Sequence, residues 1–187
     1  MKKLLTSLAC LLLCFGASPA VSFAQIELFG GYSHLRLGQA ASSQNANGWD
    51  ASLSTHLIGA LGLEADYSNH YGVSSTYGAV APGFTELYGP RFQLFSFPRI
   101  EPYVHALFGT AYGVEPGARP CPVQLVPCPP LRQNAFAMAF GGGLNIKATR
   151  HIWVRLFQVD YLRANFSTKA QNDARISAGL VLRFGKW

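Results

Sequence analysis

The chain has 187 residues, 49% of them hydrophobic and 13% charged, with a formal net charge of +6. That length suits one domain. The mild positive excess is scattered, without a basic run or an RNA- or DNA-binding signature, so a nucleic-acid partner is excluded.

Residues 1–24 read as a secretory signal peptide. Lys2 and Lys3 give a positive start, an apolar run extends from Leu4 to Phe15, and Ser22-Phe23-Ala24 places small residues before a cleavage site after Ala24. An apolar run of about 12 residues is too short for a bilayer helix, which needs roughly 20. A lipoprotein reading would need Cys10 or Cys14; apolar residues continue past Cys10, and Leu13 is a poor residue before a modified Cys. Cleavage leaves residues 25–187 as one domain with a charge of +4, because Lys2 and Lys3 depart.

Beyond residue 24, apolar residues alternate, which is the signature of strands. Eight strands are predicted, at about 25–36, 48–58, 60–70, 84–96, 100–112, 134–147, 151–164 and 173–185. In the second, Trp49, Ala51, Leu53 and Leu57 alternate with Asp50, Ser52, Ser54 and His56. In the third, Leu61, Leu63, Ala65 and Tyr67 alternate with Gly62, Glu64, Asp66 and Ser68. The fourth sets Phe92 and Leu94 against Arg91 and Gln93, and the fifth sets Val104, Ala106 and Phe108 against Tyr103 and His105. The last sets Ile176, Ala178, Leu180, Leu182 and Phe184 against Arg175, Ser177, Gly179, Val181 and Arg183.

Two strands break the pattern. In the seventh, Arg155 and Asp160 differ in parity, and a bulge near Leu156-Phe157 would turn both to the polar side. In the first, Ile26 and Leu28 share parity with His34 and Arg36, so either Gly30-Gly31 hosts an adjustment or Arg36 lies above the membrane.

The connections are tight near Gly59, Pro98 and Ala148-Thr149, and long at 37–47, 71–83, 113–133 and 165–172. Short turns at one end and long loops at the other fit a single eight-stranded antiparallel up-and-down transmembrane β-barrel, long loops outward. Cys121 and Cys128 then fall in the third outer loop. In an oxidising compartment a disulfide is the natural reading; metal binding is the alternative, weakened by the lack of His in that stretch.

A soluble lipocalin-type barrel would put the apolar face inside. Here that face is broad and aromatic-edged, with Trp49, Tyr67, Phe136 and Tyr161 toward the loops and Phe184 toward the other rim, as in an interfacial girdle. The expected lumen charge network is Asp50, Glu64, Asp66, Arg91, Arg155, Arg175 and Arg183, with Glu27, His56 and His105 nearby. Eight strands leave an interior just wide enough for side chains to fill, and mixed signs allow the pairing that buried ions require.

The opening Ile26-Glu27-Leu28-Phe29-Gly30-Gly31-Tyr32-Ser33, Glu101-Pro102-Tyr103-Val104, Val154 to Tyr161 and the closing Ser177 to Gly185 carry a resemblance. Together they resemble the small outer-membrane β-barrels that include the OmpA-type transmembrane domain and the opacity-like proteins. The resemblance implies residence in the outer membrane of a Gram-negative-type bacterium, contact with its lipid, and insertion by the barrel-assembly machinery. It also implies that Ile176, Leu180, Leu182 and Phe184 form the C-terminal assembly signal, with Phe184 as its last aromatic.

The expected role is structural or surface-interacting, with a wall supporting outer loops that can contact an extracellular ligand. A narrow pore and a soluble periplasmic lipocalin-like binder are the alternatives. No cofactor is expected, and no enzymatic activity. Histidines at 34, 56, 70, 105 and 151 supply no motif, no Gly-Xaa-Ser-Xaa-Gly elbow or phosphate loop occurs, and triads are recognised by geometry.

Overall fold

The computed structural model describes residues 25–38, 44–71, 81–95, 97–115, 131–166 and 170–185. The expected signal peptide and the Cys121–Cys128 pair lie outside them. A two-residue period matches the pleat of an extended strand, in which successive side chains point to opposite faces. The alternating segments accordingly form eight strands: β1 Ile26–Leu37, β2 Gln44–Ile58, β3 Leu61–Tyr71, β4 Ala81–Gln93, β5 Ile100–Glu115, β6 Leu131–Lys147, β7 Ile152–Asn165 and β8 Ala170–Phe184. Each pairs antiparallel with the next, and β1 closes on β8, with Ile26 opposite both Thr55 and Phe184. Closure leaves no unpaired edge, which is what a bilayer demands of a sheet.

The connections at one end are short. Gly59, with φ of 56°, sits in the turn that brings Ile58 opposite Leu61, a conformation glycine adopts without the usual Cβ penalty. At the β6–β7 turn, Ala148 and Thr149 donate backbone hydrogen bonds to the Ile152 carbonyl, and the Thr149 hydroxyl accepts one from Ile152 N.

At the long-loop end the strands run further than the pattern predicts. β2 begins at Gln44 rather than 48, β4 at Ala81 rather than 84, β6 at Leu131 rather than 134, β8 at Ala170 rather than 173, and β5 continues to Glu115. The ladder there continues through Pro82, Gln133 and Gln171. At the other end β4 stops at Gln93, short of the predicted 96.

The β7 parity break coincides with a register shift. Pairing with β8 steps from Arg155↔Gly179 to Gln158↔Ser177, and Leu156 and Phe157 both face outward, so Arg155 and Asp160 are both buried. β1 shows no shift against either neighbour, and Arg36 keeps its outward parity. Gly31 instead permits close approach: a Cβ there would lie 2.2 Å from the Ala178 carbonyl oxygen.

Candidate functional site: the lumen and its rims

The inward residues form layers along the barrel axis. At the short-turn end, Glu27 of β1, Arg91 of β4, Glu101 of β5 and Arg183 of β8 converge. Arg183 donates to both Glu101 oxygens and lies 2.8 Å from Glu27 Oε1, while Arg91 Nη2 lies 3.2 Å from Glu27 Oε2. Arg91 also donates to Ser54 Oγ at 2.9 Å.

The next layer is centred on Asp160. Arg175 donates to Asp160 Oδ2 at 2.6 Å and to Asp66 Oδ1 at 2.7 Å, and to the Ser68 hydroxyl at 3.0 Å. His105 bridges two acids, with Nδ1 2.9 Å from Glu64 Oε2 and Nε2 2.8 Å from Asp160 Oδ1. Arg155 donates to Asn145 and Gln158, and Gln158 accepts from the Tyr103 hydroxyl while donating to Asp160. These side chains are fully or almost fully buried, so each charge depends on its partners to offset desolvation. Gly143 opens space for this layer, since a Cβ there would meet the Tyr103 hydroxyl at 2.8 Å.

Guanidinium groups also lie over aromatic rings, a favourable contact once desolvated. Arg183 stacks on Trp153 at 3.6 Å, Arg91 on Tyr103 at 3.8 Å and Arg155 on Phe29 at 3.9 Å, measured to the ring centroids. All seven residues expected in the charge network thus face inward and are buried. Asp50 differs from the other six: it is 1% exposed, and neither carboxylate oxygen has a hydrogen-bond partner among the described residues. Phe29, Tyr103, Trp153 and Gln158 join the network without having been singled out in the sequence as its members.

Toward the long-loop end the lumen changes character. Leu35, Leu37, Leu87, Leu107, Leu162 and Phe166 pack with six alanines into one buried apolar cluster. The expected charge network therefore accounts for the inner part alone. Apolar side chains dominate the outer part, with the buried Thr85, His70 and Asp173 among them, because β1, β4, β5 and β7 each carry leucine in their inward phase there.

Outside, the wall is apolar. Leu28, Leu53, Leu63, Phe92, Val104, Phe108, Phe140, Leu156, Val159, Leu180 and Leu182 are all exposed. The expected assembly-signal residues Ile176, Leu180, Leu182 and Phe184 lie in one outward row of β8, and Phe184 is opposite Ile26. Near the long-loop end, tyrosines ring the wall with their hydroxyls engaged. Tyr32 donates to Asn47, Tyr112 to Glu86 and Tyr161 to Asn172; the Tyr67 and Tyr88 hydroxyls are 2.7 Å apart, and Trp49 donates to Tyr71. Of the aromatics expected in this girdle, Trp49, Phe136 and Tyr161 are exposed and Tyr67 is half-buried.

Two arrangements invite a chemical reading. Glu27, His56 and Glu101 bring possible metal-ligand atoms within 4.8 Å of one another. Both carboxylates already face arginine, so a cation would have to displace guanidinium groups. Ser33 Oγ lies 3.0 Å from His70 Nε2, but His70 Nδ1 has no hydrogen-bond partner among the described residues to orient the ring, and both residues are buried. A nucleophile–base pair needs an orienting third group and access to substrate.

No family model matches the chain, and no curated protein matches it in sequence. Solved structures do match in fold. Neisserial surface protein A is similar with a TM-score of 0.62 at 12% identity, covering 85% of this chain and 97% of that one. The attachment invasion locus protein Ail of Yersinia pestis is similar at 0.56 and 13%, covering 86% and 99%. The N-terminal β-barrel domain of Pseudomonas aeruginosa OprF is similar at 0.55 and 15%, covering 86% and 97%. Ail has also been solved in complex with the heparin analogue sucrose octasulfate. An apolar outer wall, a closed ladder and an ionic interior are what a strand-built membrane span requires. The chain therefore has the closed eight-stranded transmembrane-barrel fold of small bacterial outer-membrane proteins.

Proposed function

We propose that this barrel serves a structural and surface-interaction role, its wall presenting four outer loops to an external partner while its lumen is closed to solutes. The observation that carries the reading is the apolar cluster of Leu35, Leu87, Leu107 and Leu162 lying beyond the arginine–carboxylate layers. A conducting path needs continuous polar surface and water. Here most of the inner charges are paired with opposite sign, and the outer part is filled by this cluster with the buried Thr85, His70 and Asp173 among it. Binding residues are disproportionately found on loops held by a rigid scaffold, and a protein of similar fold, Ail, takes a polysulfated ligand. Sucrose octasulfate is accordingly the first probe for the loops.

The rest of the reading rests on the sequence. A signal peptide ending at Ala24 exports the chain, a Cys121–Cys128 disulfide closes the third outer loop, and the outward row ending at Phe184 engages the barrel-assembly machinery. No catalytic role is proposed.

The test has two steps. Expressed with its leader in a Gram-negative host, the protein should fractionate with the outer membrane and migrate differently on SDS gels before and after boiling. Recovery as a soluble periplasmic protein without that shift would overturn the membrane role in favour of a lipocalin-like binder. In planar bilayers the purified barrel should give no steady conductance; stable channels would overturn the closed lumen and establish the narrow pore.

A further inference from the structure

The short-turn end carries a charge asymmetry that the lumen does not explain. Among the described residues at that end, the carboxylates are Glu27 and Glu101, 1% and 3% exposed and both committed to buried arginines. The cations Arg99, Lys147 and Arg150 are exposed. They are also gathered. A groove of about 560 Å³ between the β4–β5 and β6–β7 turns is lined by Pro98, Arg99, Lys147, Ala148, Thr149 and Arg150. A backbone hydrogen bond from Lys147 N to the Arg99 carbonyl, 2.9 Å long, ties the two turns together.

The groove sits at the edge of the lipid-facing wall. Ile100 and Ile152, the first residues of β5 and β7, are exposed beside it, and Phe95 and Phe97 on the same β4–β5 turn are 64% and 58% exposed with ring centroids 6.3 Å apart. Short turns mark the periplasmic end, so the groove lies at the headgroup level of the inner leaflet. Three gathered cations, with no exposed acid among the described residues at that end, suit a phosphodiester, and the adjoining apolar side chains suit acyl chains.

We infer that this groove is a binding site for the headgroup of an anionic phospholipid of the periplasmic leaflet. Arg99, Lys147 and Arg150 contact the phosphate, and the Phe95–Phe97 turn lies against the acyl chains. Juxtamembrane cations each strengthen attraction to anionic lipid, and salt weakens it.

The test uses the full barrel folded in neutral detergent. Bound lipid is counted by native mass spectrometry with phosphatidylglycerol or phosphatidylcholine of matched chains. Wild type should retain phosphatidylglycerol with a preference of about tenfold, and R99S/K147S/R150S should lose it. Heat-modifiable migration establishes that the variant is folded. R36S/R163S removes two outward cations near the other end and should leave the preference intact. Equal retention of both lipids by wild type would overturn the site, as would an undiminished preference in the triple variant or an equal loss in R36S/R163S. Glycerol 3-phosphate binding as tightly as the lipid would show a site for free phosphate and overturn the lipid assignment.

Discussion

Arg175 and Asp160 lie on adjacent strands and meet inside the barrel, Nη2 2.6 Å from Oδ2, with Arg175 held on its far side by Asp66. Removing the cation would strand two buried carboxylates. Arg175→Met should destabilise the barrel by about 3–5 kcal/mol, read as a lower urea midpoint in detergent micelles. Replacing Arg175 and Asp66 together by Met and Leu should recover much of that loss, since Asp160 keeps His105 and Gln158 and the cost lies in unpaired ions rather than in the missing pair. Equal destabilisation by both variants would contradict the pairing argument.

The outer apolar layer should behave as a packed core. Leu107→Ala is expected to cost about 2–5 kcal/mol of unfolding free energy. L87S/L107S/L162S should in addition wet the lumen and produce channel events in planar bilayers where wild type gives none. A silent triple variant that remains folded would show that the ion-paired layers alone close the lumen.

The bulge at Leu156-Phe157 sets which β7 residues face lipid. Deleting Leu156 forces either Arg155 or Asp160 onto the wall, and an arginine near the bilayer midplane costs about 2–4 kcal/mol. The deletion should abolish refolding into lipid vesicles, whereas Leu156→Ala should be tolerated. Heat-modifiable migration distinguishes the two.

If the outward row of β8 is an assembly signal, Phe184→Ser should lower outer-membrane insertion in cells several-fold. The same variant should refold from urea into detergent nearly as well as wild type. Trp187→Ser should affect neither. Loss of refolding in vitro would assign Phe184 to packing alone.

The cysteine pairing is checked by thiol titration of exported, denatured protein. Residues 121 and 128 should be unreactive until a reductant is added. Reactive thiols without reduction would remove the disulfide.

The strands were legible because a lipid-facing wall imposes an apolar residue at every second position, and the charged inward residues stood out against it. The same rule hid the outer lumen. Leu87 shares its parity with Arg91, and Leu35 with Glu27, so phase alone placed them inside, yet their apolar character matched the outward class. The strand ends were missed for a related reason. Around Ala81, Leu131 and Ala170 the ladder extends into Pro-, Gln- and Asn-containing sequence, where only backbone hydrogen bonds carry the signal. Partner choice was not legible at all. That Arg183 meets Glu101, 82 positions away, and stacks on Trp153 follows from closure of the barrel.

The division of the lumen into an ionic inner part and an apolar outer part has a consequence for signalling. Leu35, Leu87, Leu107 and Leu162 carry no charge and take no proton, so a rearrangement cannot pass along them as it can along the arginine–carboxylate layers. An event at the cell surface that moves the wall, or changes the company the barrel keeps in the plane of the membrane, has a route to the inner leaflet that does not depend on the lumen.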